Sequence, residues 1–581
     1  MLKNKLTFSS LNNIYSFIGY TFPLALLLWF VATYSVNVPY WDEWALVSIF
    51  DKVATGTATF QDFFAQHNEH RILFPKIIFT ILAFSTNWDI SYQLILSILL
   101  AAATFLMLSK ISYSQINHIP KNYLHSANIL SCILIFSLPQ HENWLWGFQI
   151  AWFLINFCVA TAIFSLTLLN NVKVKILVAA IFCFIATFSL AHGLLSWIAV
   201  IPSVAAIAGS HSQKIKRIIF WFVLFLASVG IYFIGYQKPA YHPDIFFFLK
   251  QPFVALSYLL TIIGIPLSRN INFSSTLGFI VIANLLFFVV YYIRNYRTKF
   301  ALDATPWLSF SLFSLLFNFL TTLGRAGFGV GQALSSRYTT HSLLLIIALM
   351  QIWVLFLTHV LHRKIYKKNY INKIFNFILV GVLILILFNS TEAITETRKE
   401  YQQRTSSQEC LELSNYITST ENNCLKEIYP DVAVLKLYLG IVNKLGFRRF
   451  TTDISFAKEP QSTYGYIDIP PVNNKPITIN KSQNLPVIGW SLIPAQAKIP
   501  KLILLSYNKQ KSFFATAYVK LDRPDVAKAF NSSCYSKAGW EVNLSLKSLP
   551  LQEIALEAWV YDTYKNQFVQ IKGEPKIKVV E

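Results

Sequence analysis

Apolar runs of spanning length, separated by short basic loops, set the pattern of the chain up to about residue 390. The first, from about Ile14 to Val36, follows Lys3 and Lys5 and exceeds the roughly 20 helical residues that cross a bilayer. No A-x-A cleavage pattern follows it, which predicts an uncleaved span with the amino terminus inside. Further apolar segments lie at 72–86, 89–109, 123–139, 150–170, 174–190, 194–209, 217–236, 253–267, 274–293, 305–323, 340–361 and 373–390.

Loop charge orders these segments. Lys110 and Lys121, Lys173 and Lys175, Lys214 to Arg217, Arg294 to Lys299, and Arg363 to Lys368 are all assigned inside by the positive-inside rule. That assignment requires two segments not to cross. The candidates are 72–86, which contains Pro75 and Lys76, and 253–267, which follows Lys250-Gln251-Pro252; about eleven crossings remain. The loops Gln140–Gln149, Ala191–Gly193, Tyr236–Asp244 and Gly324–Tyr338 then fall on the outer side, with Asp42. They are rich in aromatic and unusual polar residues, whereas the inner loops are short and basic.

Beyond about Ser390 the pattern changes. Residues 391–460 carry charges at a helical period, and from 461 to 581 short alternating runs such as Lys501–Tyr507, Phe513–Val519 and Ala555–Tyr561 are separated by Pro, Gly and Asn turns. Those runs predict a small β-sandwich outside the membrane.

Composition agrees with a membrane class. Of 581 residues 54% are hydrophobic and 13% charged, against about 25% charged in soluble domains, and mean hydropathy is +0.47. The net charge of +21 forms no long basic stripe and instead punctuates the apolar segments, so no nucleic-acid partner is indicated. Cys132, Cys158 and Cys183 lie in apolar stretches as small hydrophobes. Cys410 and Cys424 can pair if their region is extracytoplasmic, which leaves Cys534 over.

Candidate chemistry begins at Val38-Pro39-Tyr40-Trp41-Asp42-Glu43-Trp44. One reading is a solvated helix start with acids on the dipole and tryptophans at the headgroup level. The other is a poorly solvated carboxylate pair that accepts a proton or holds a divalent cation, Mg or Mn. His67-Asn68-Glu69-His70-Arg71 answers it before the next apolar segment. His67 and His70, at i and i+3, would share a helical face, and Arg71 offers a fork for phosphate oxygens. Either that cluster is a polar helix start with ion pairs, or it positions acceptor or phosphate. Gly324-Arg325-Ala326-Gly327-Phe328-Gly329-Val330-Gly331 through Ser336-Arg337-Tyr338 places two arginines at the outer face, where they snorkel or clamp a phosphate. His242, in Tyr241-His242-Pro243-Asp244, sits in a loop suited to sugar stacking or to plain re-entry.

These residues resemble the GT-C class of membrane glycosyltransferases, which take sugar from a polyprenyl-phosphate donor. Asp42-Glu43 directly after the first span is similar to the class hallmark, as is the return segment from His67 to Pro75. Asn143-x-x-Trp146-Gly147-Phe148-Gln149 with Gly324-Arg325 and Ser336-Arg337-Tyr338 is similar to a bacterial group with a trailing β-domain. The resemblance implies a polytopic α-helical membrane protein of about 11–13 transmembrane segments with an extracytoplasmic helical segment and β-sandwich. The domains would be 1–390, 391–460 and 461–581. It implies catalytic or metal-binding roles for Asp42 and Glu43, donor-phosphate contacts from Arg325, Arg337 and Tyr338, and a site shaped by His67, Glu69, His70, Arg71 and His242.

The implied hexosyl or pentosyl transfer occurs on the outer face of a bacterial inner membrane, to a glycan, lipid or protein acceptor. Asn-Glu-His-Arg stands where protein O-mannosyltransferase-like members carry His-Pro-Pro, and no Trp-Trp-Asp is present, which favours a lipid-linked or surface glycan acceptor. The rivals are a polysaccharide polymerase or ligase, which shares carrier and face, and a lipid-glycan flippase, which would place ionisable residues within the spans. A surface-binding protein with a membrane anchor would need only one span.

Overall fold

The structure, a computed structural model, describes residues 2–115, 119–240, 243–362, 368–419, 422–448, 450–457, 462–472, 475–547 and 549–581; side chains are described outside 1–15 and 362–371. By packing the chain forms two units. One comprises Met1–Ser35, Thr57–Leu82 and Asp89–Lys399; the other comprises Val36–Gly56, Ala83–Trp88 and Glu400–Glu581.

The first unit is helical. Among the described residues eight helices are long and apolar enough to cross a membrane: Ser16–Tyr34, Ile90–Tyr113, Gly147–Leu168, His211–Phe233, Ile271–Arg294, Lys299–Phe328, Ser336–Leu361 and Asn372–Glu412. That is fewer than eleven, because three expected spans form shorter helices. Lys121–Ile135 has 15 residues, Val172–Thr187 has 16, and the next segment breaks into Leu195–Ala199 and Ile201–Ala206, with Pro202 opening the second piece. Leu73–Thr86 and Pro252–Gly264 have 14 and 13 residues. At 1.5 Å per residue each is about 20 Å long, short of the roughly 30 Å of a hydrocarbon core.

Local sequence sets the helix starts. Asn171 accepts from the amides of Lys173 and Val174, Asn270 from that of Phe273, and Ser210 pairs reciprocally with Gln213. Interhelical polar contacts knit the apolar bundle. Asn128 donates to Ser112, Ser112 to Gln351, and Gln351 to Ser131.

The second unit contains all ten strands of the described residues: β1 Ser455–Ala457, β2 Gly465–Ile469, β3 Ile477–Asn480, β4 Asn484–Ser491, β5 Leu502–Tyr507, β6 Ala515–Leu521, β7 Gly539–Ser545, β8 Glu553–Asp562, β9 Gln567–Gln570 and β10 Lys576–Val580. Hydrogen bonds run unbroken along β1-β9-β8-β5-β6-β7-β4-β2, while β10 pairs with β3 and β8. The expected two-sheet sandwich is therefore one curled sheet. The register slips between Val519 and Leu521 where β6 meets β7, and such a bulge lets a strand bend. Inside the curl Val487 and Trp540 share a core with Ile503, Val560 and Val569.

Two early segments belong to this unit through aromatic packing. Trp44 and Phe50 meet Trp88 edge-on at 5.3 Å each, and Phe84 meets Phe447 at 5.1 Å. Arg448 donates to Asn37 and to the Trp88 carbonyl. Cys410 and Cys424 are paired as a disulfide, with Cα atoms 6.2 Å apart.

Candidate functional site

In the helical unit the His67–Arg71 segment is a tight turn. Asn68 takes φ +49°, a conformation asparagine tolerates, and the amides and carbonyls of His67 and His70 bond to each other at 2.8 and 2.9 Å. The two histidines thus face each other across a turn instead of sharing a helical face. His67 packs on Phe148, with centroids 5.2 Å apart.

The turn is bolted down by its own arginine. Arg71 is buried, and its guanidinium donates to the carbonyls of Tyr232 (2.6 Å), Phe64 (2.8 Å) and Ile234. With its fork on backbone, Arg71 serves the fold and is not free to grip phosphate. Tyr232 returns a bond to the Glu69 carbonyl at 2.9 Å, and Gln66 bonds Gln237. Lys76, also buried, holds the carbonyls of Asp62 and Ala65.

Asn68 is the exposed residue of the turn, and Glu69 is half-buried. Its carboxylate pairs with Arg325 and lies 3.5 Å from His70 Nε2. His70 Nδ1 accepts from the Ala191 amide at 3.3 Å, which assigns the ring proton to Nε2, facing the carboxylate. His192 stands beside His70, its Nε2 3.0 Å from Thr321 Oγ1 and its ring stacked on Phe317.

Arg325 ends a 27-residue helix, and the glycine-rich stretch after it folds as three short turns joined where Gly329 adopts φ +96°, a conformation glycine supplies without strain. Arg337 pairs with Glu142 at 3.5 Å, and Ser335 and Ser336 donate to the same carboxylate. Asn143 ties the two loops by donating to the Arg337 carbonyl and Thr340. Tyr338 is buried and accepts from Gln332 at 2.8 Å; Gln332 in turn accepts from Tyr258. Arg337 Cζ stands 6.0 Å from the centre of the Tyr338 ring, and Arg325 Cζ 5.8 Å from that of Phe328. A further pair joins Arg269 to Glu396 at 3.0 Å.

The sequence singles out both arginines and Glu69 but gives no sign that Arg325 pairs with Glu69 or Arg337 with Glu142. Nor does it mark Tyr258 and Gln332, which stand among ordinary helix and loop residues and carry no local signal. His242 lies outside the described residues.

Asp42 and Glu43 lie in the other unit, in a short turn Trp41–Leu46. Glu43 is fully buried, and its carboxyl caps the turn by accepting from the Tyr40 amide at 2.6 Å. Burial pushes its pKa up to about 8, against the field of Arg404 and Arg448. A neutral, enclosed carboxyl is a poor partner for a cation, so the two acids do not act as an equal pair. Of the two acids only Asp42 reaches the surface. Among the described residues no three His, Cys, Asp or Glu side chains converge as a metal cage.

No protein-family model, curated protein or solved structure matches this chain.

Proposed function

We propose that the protein is a membrane glycosyltransferase of GT-C type, moving a sugar from a polyprenyl-phosphate donor to an extracytoplasmic glycan or lipid-linked acceptor. The observation that carries this reading is that Arg325 and Arg337, each paired with a carboxylate, stand at the ends of two long apolar helices. Cations at that level suit a phosphate whose lipid tail stays in hydrocarbon.

In the reaction the acceptor oxygen bonds to the anomeric carbon while the bond from that carbon to the phosphate oxygen breaks, releasing polyprenyl phosphate. Phosphate leaves readily, so the protein's work is orientation and neutralising the developing charge. Arg325 and Arg337 fill that role, each exchanging its carboxylate, Glu69 or Glu142, for phosphate oxygens. The base that takes the proton of the acceptor hydroxyl is, by the resemblance alone, Asp42, on a turn that Glu43 caps.

A photoreactive polyprenyl-phosphate analogue tests the donor site. It should label the purified protein in competition with polyprenyl phosphate, and Arg325→Gln should weaken labelling about tenfold, in keeping with loss of one charge-assisted contact. Undiminished labelling would remove Arg325 from the reading. A polymerase or ligase uses the same donor chemistry; nothing beyond the shared carrier favours it.

A further inference from the structure

One hollow in the second unit takes no part in the chemistry above. It is an open cleft of about 940 Å³ whose floor is the outer face of β6, β7 and β4. Alternate residues of paired strands share a face, so the opposed pairs Pro486–Asn543 and Ile488–Glu541 line the floor together with Tyr518. The helix Asn423–Ile428 and the Tyr40–Trp41 turn form the walls. The cleft runs on into a second hollow of about 680 Å³ that shares Asn423 and Asn543 with it and adds Asn484 and Lys547.

Trp41 is the anomaly in this wall. It takes φ +49°, a left-handed conformation costly for a bulky side chain, and yet 44% of it is exposed. Its indole is held in place, because Nε1 donates to the Glu427 carbonyl at 3.1 Å. The carboxylate of the same Glu427 accepts from the Tyr518 hydroxyl and from Ser407. One residue thus fixes two aromatic rings in one cleft, so neither loses much freedom when a ligand arrives.

Fixed aromatic faces beside side-chain amides match one ligand chemistry in particular. A sugar ring offers apolar C–H faces to an aromatic ring, and its hydroxyls both donate and accept, as the amides of Gln403, Asn423 and Asn543 do. Across the joined hollows Glu427 and Glu541 balance Lys426 and Lys547, which suits a ligand without net charge. Two joined hollows suit several sugar residues in a row.

We propose that this groove binds a neutral oligosaccharide, several residues long. The binding does not rest on the transferase reading; only a role for that glycan as acceptor would.

The test uses full-length protein in nanodiscs, immobilised, and as probe the neutral oligosaccharides released by mild acid from the lipid-linked and the polymeric envelope fractions of the source cells, each labelled at the reducing end. The expected result is retention of oligosaccharide from at least one fraction, and the fraction identifies whether its source is lipid-linked or polymeric. Trp41→Gly should cut retention about tenfold, the order expected for a lost aromatic contact. Glycine accepts φ +49° without strain, so its thermal midpoint should not fall with retention. Tyr518→Phe, which frees the ring from Glu427, should weaken retention to a smaller degree. No retention from either fraction overturns the proposal, and so does retention unchanged by Trp41→Gly, or capture of peptide in place of sugar. Because no donor is present, the retention assay tests the groove alone; failure of transfer in an assay supplied with donor would fault the transferase reading and leave a positive retention result standing.

Discussion

At the scale of single residues, the adjacent acids Asp42 and Glu43 divide by burial. Glu43 is enclosed with its pKa raised from about 4.5 to about 8 by desolvation, while Asp42 reaches the surface. A raised carboxyl pKa means the folded state holds its proton after the unfolded chain has released it. Stability is therefore fully present below about pH 4.5, declines as the unfolded chain ionises, and reaches its full loss once pH passes about 8. Glu43→Gln should flatten this decline, a difference of a few kcal/mol between pH 5 and pH 9 in detergent-solubilised protein. Equal pH slopes for both proteins would show that Glu43 ionises as easily folded as unfolded.

Residue identity in the sequence shows which groups can carry chemistry, but not which of them the fold consumes. Arg71 and Arg325 look alike as phosphate forks; only the fold spends Arg71 on three backbone carbonyls. His67 and His70 sit at helical spacing, but Asn68 at φ +49° turns the chain between them. The carboxylate partners of Arg325 and Arg337 lie 256 and 195 positions away along the chain, beyond any local pattern.

At the scale of elements, the apolar periodicity located the helices well because lipid-facing and core-facing sides are both apolar there. It failed on length, since hydropathy runs on past the residue where a helix stops: the 123–139 segment ends its helix at Ile135. The curl of the sheet was hidden for a different reason, because strand alternation is the same in a sandwich and in a half-barrel. Helix contacts are also invisible in the sequence. A Cβ on Gly278 would stand 1.9 Å from the Leu260 carbonyl oxygen, and one on Gly264 1.9 Å from that of Ser274, so the Pro252–Gly264 and Ile271–Arg294 helices touch backbone to backbone. Gly278→Val should cost about 1–3 kcal/mol and lower the thermal midpoint. Gly381→Ala, with nothing within 4 Å of the added carbon, should hold or raise it through helix propensity. Equal midpoints for both variants would contradict the close contact.

At the scale of the whole molecule, the proposed orientation would put the second unit outside the cytoplasm, and the Cys410–Cys424 disulfide is in keeping with it. A native reporter exists. Cys534 is exposed, whereas the other free cysteines, Cys132, Cys158 and Cys183, are buried. A membrane-impermeant maleimide should label Cys534 in intact spheroplasts and lose its target in Cys534→Ser; labelling only after lysis would invert the orientation.

The central claim is sugar transfer, and it is tested most directly by incubating membranes with radiolabelled polyprenyl-phosphate sugars and following label into envelope acceptors. Wild-type membranes should transfer label. Asp42→Asn, at equal expression, should reduce transfer about a hundredfold, the usual scale for loss of a positioned base, while labelling by the photoreactive donor analogue persists. Transfer undiminished by Asp42→Asn, or none from the wild type with any polyprenyl-phosphate sugar, would contradict the account.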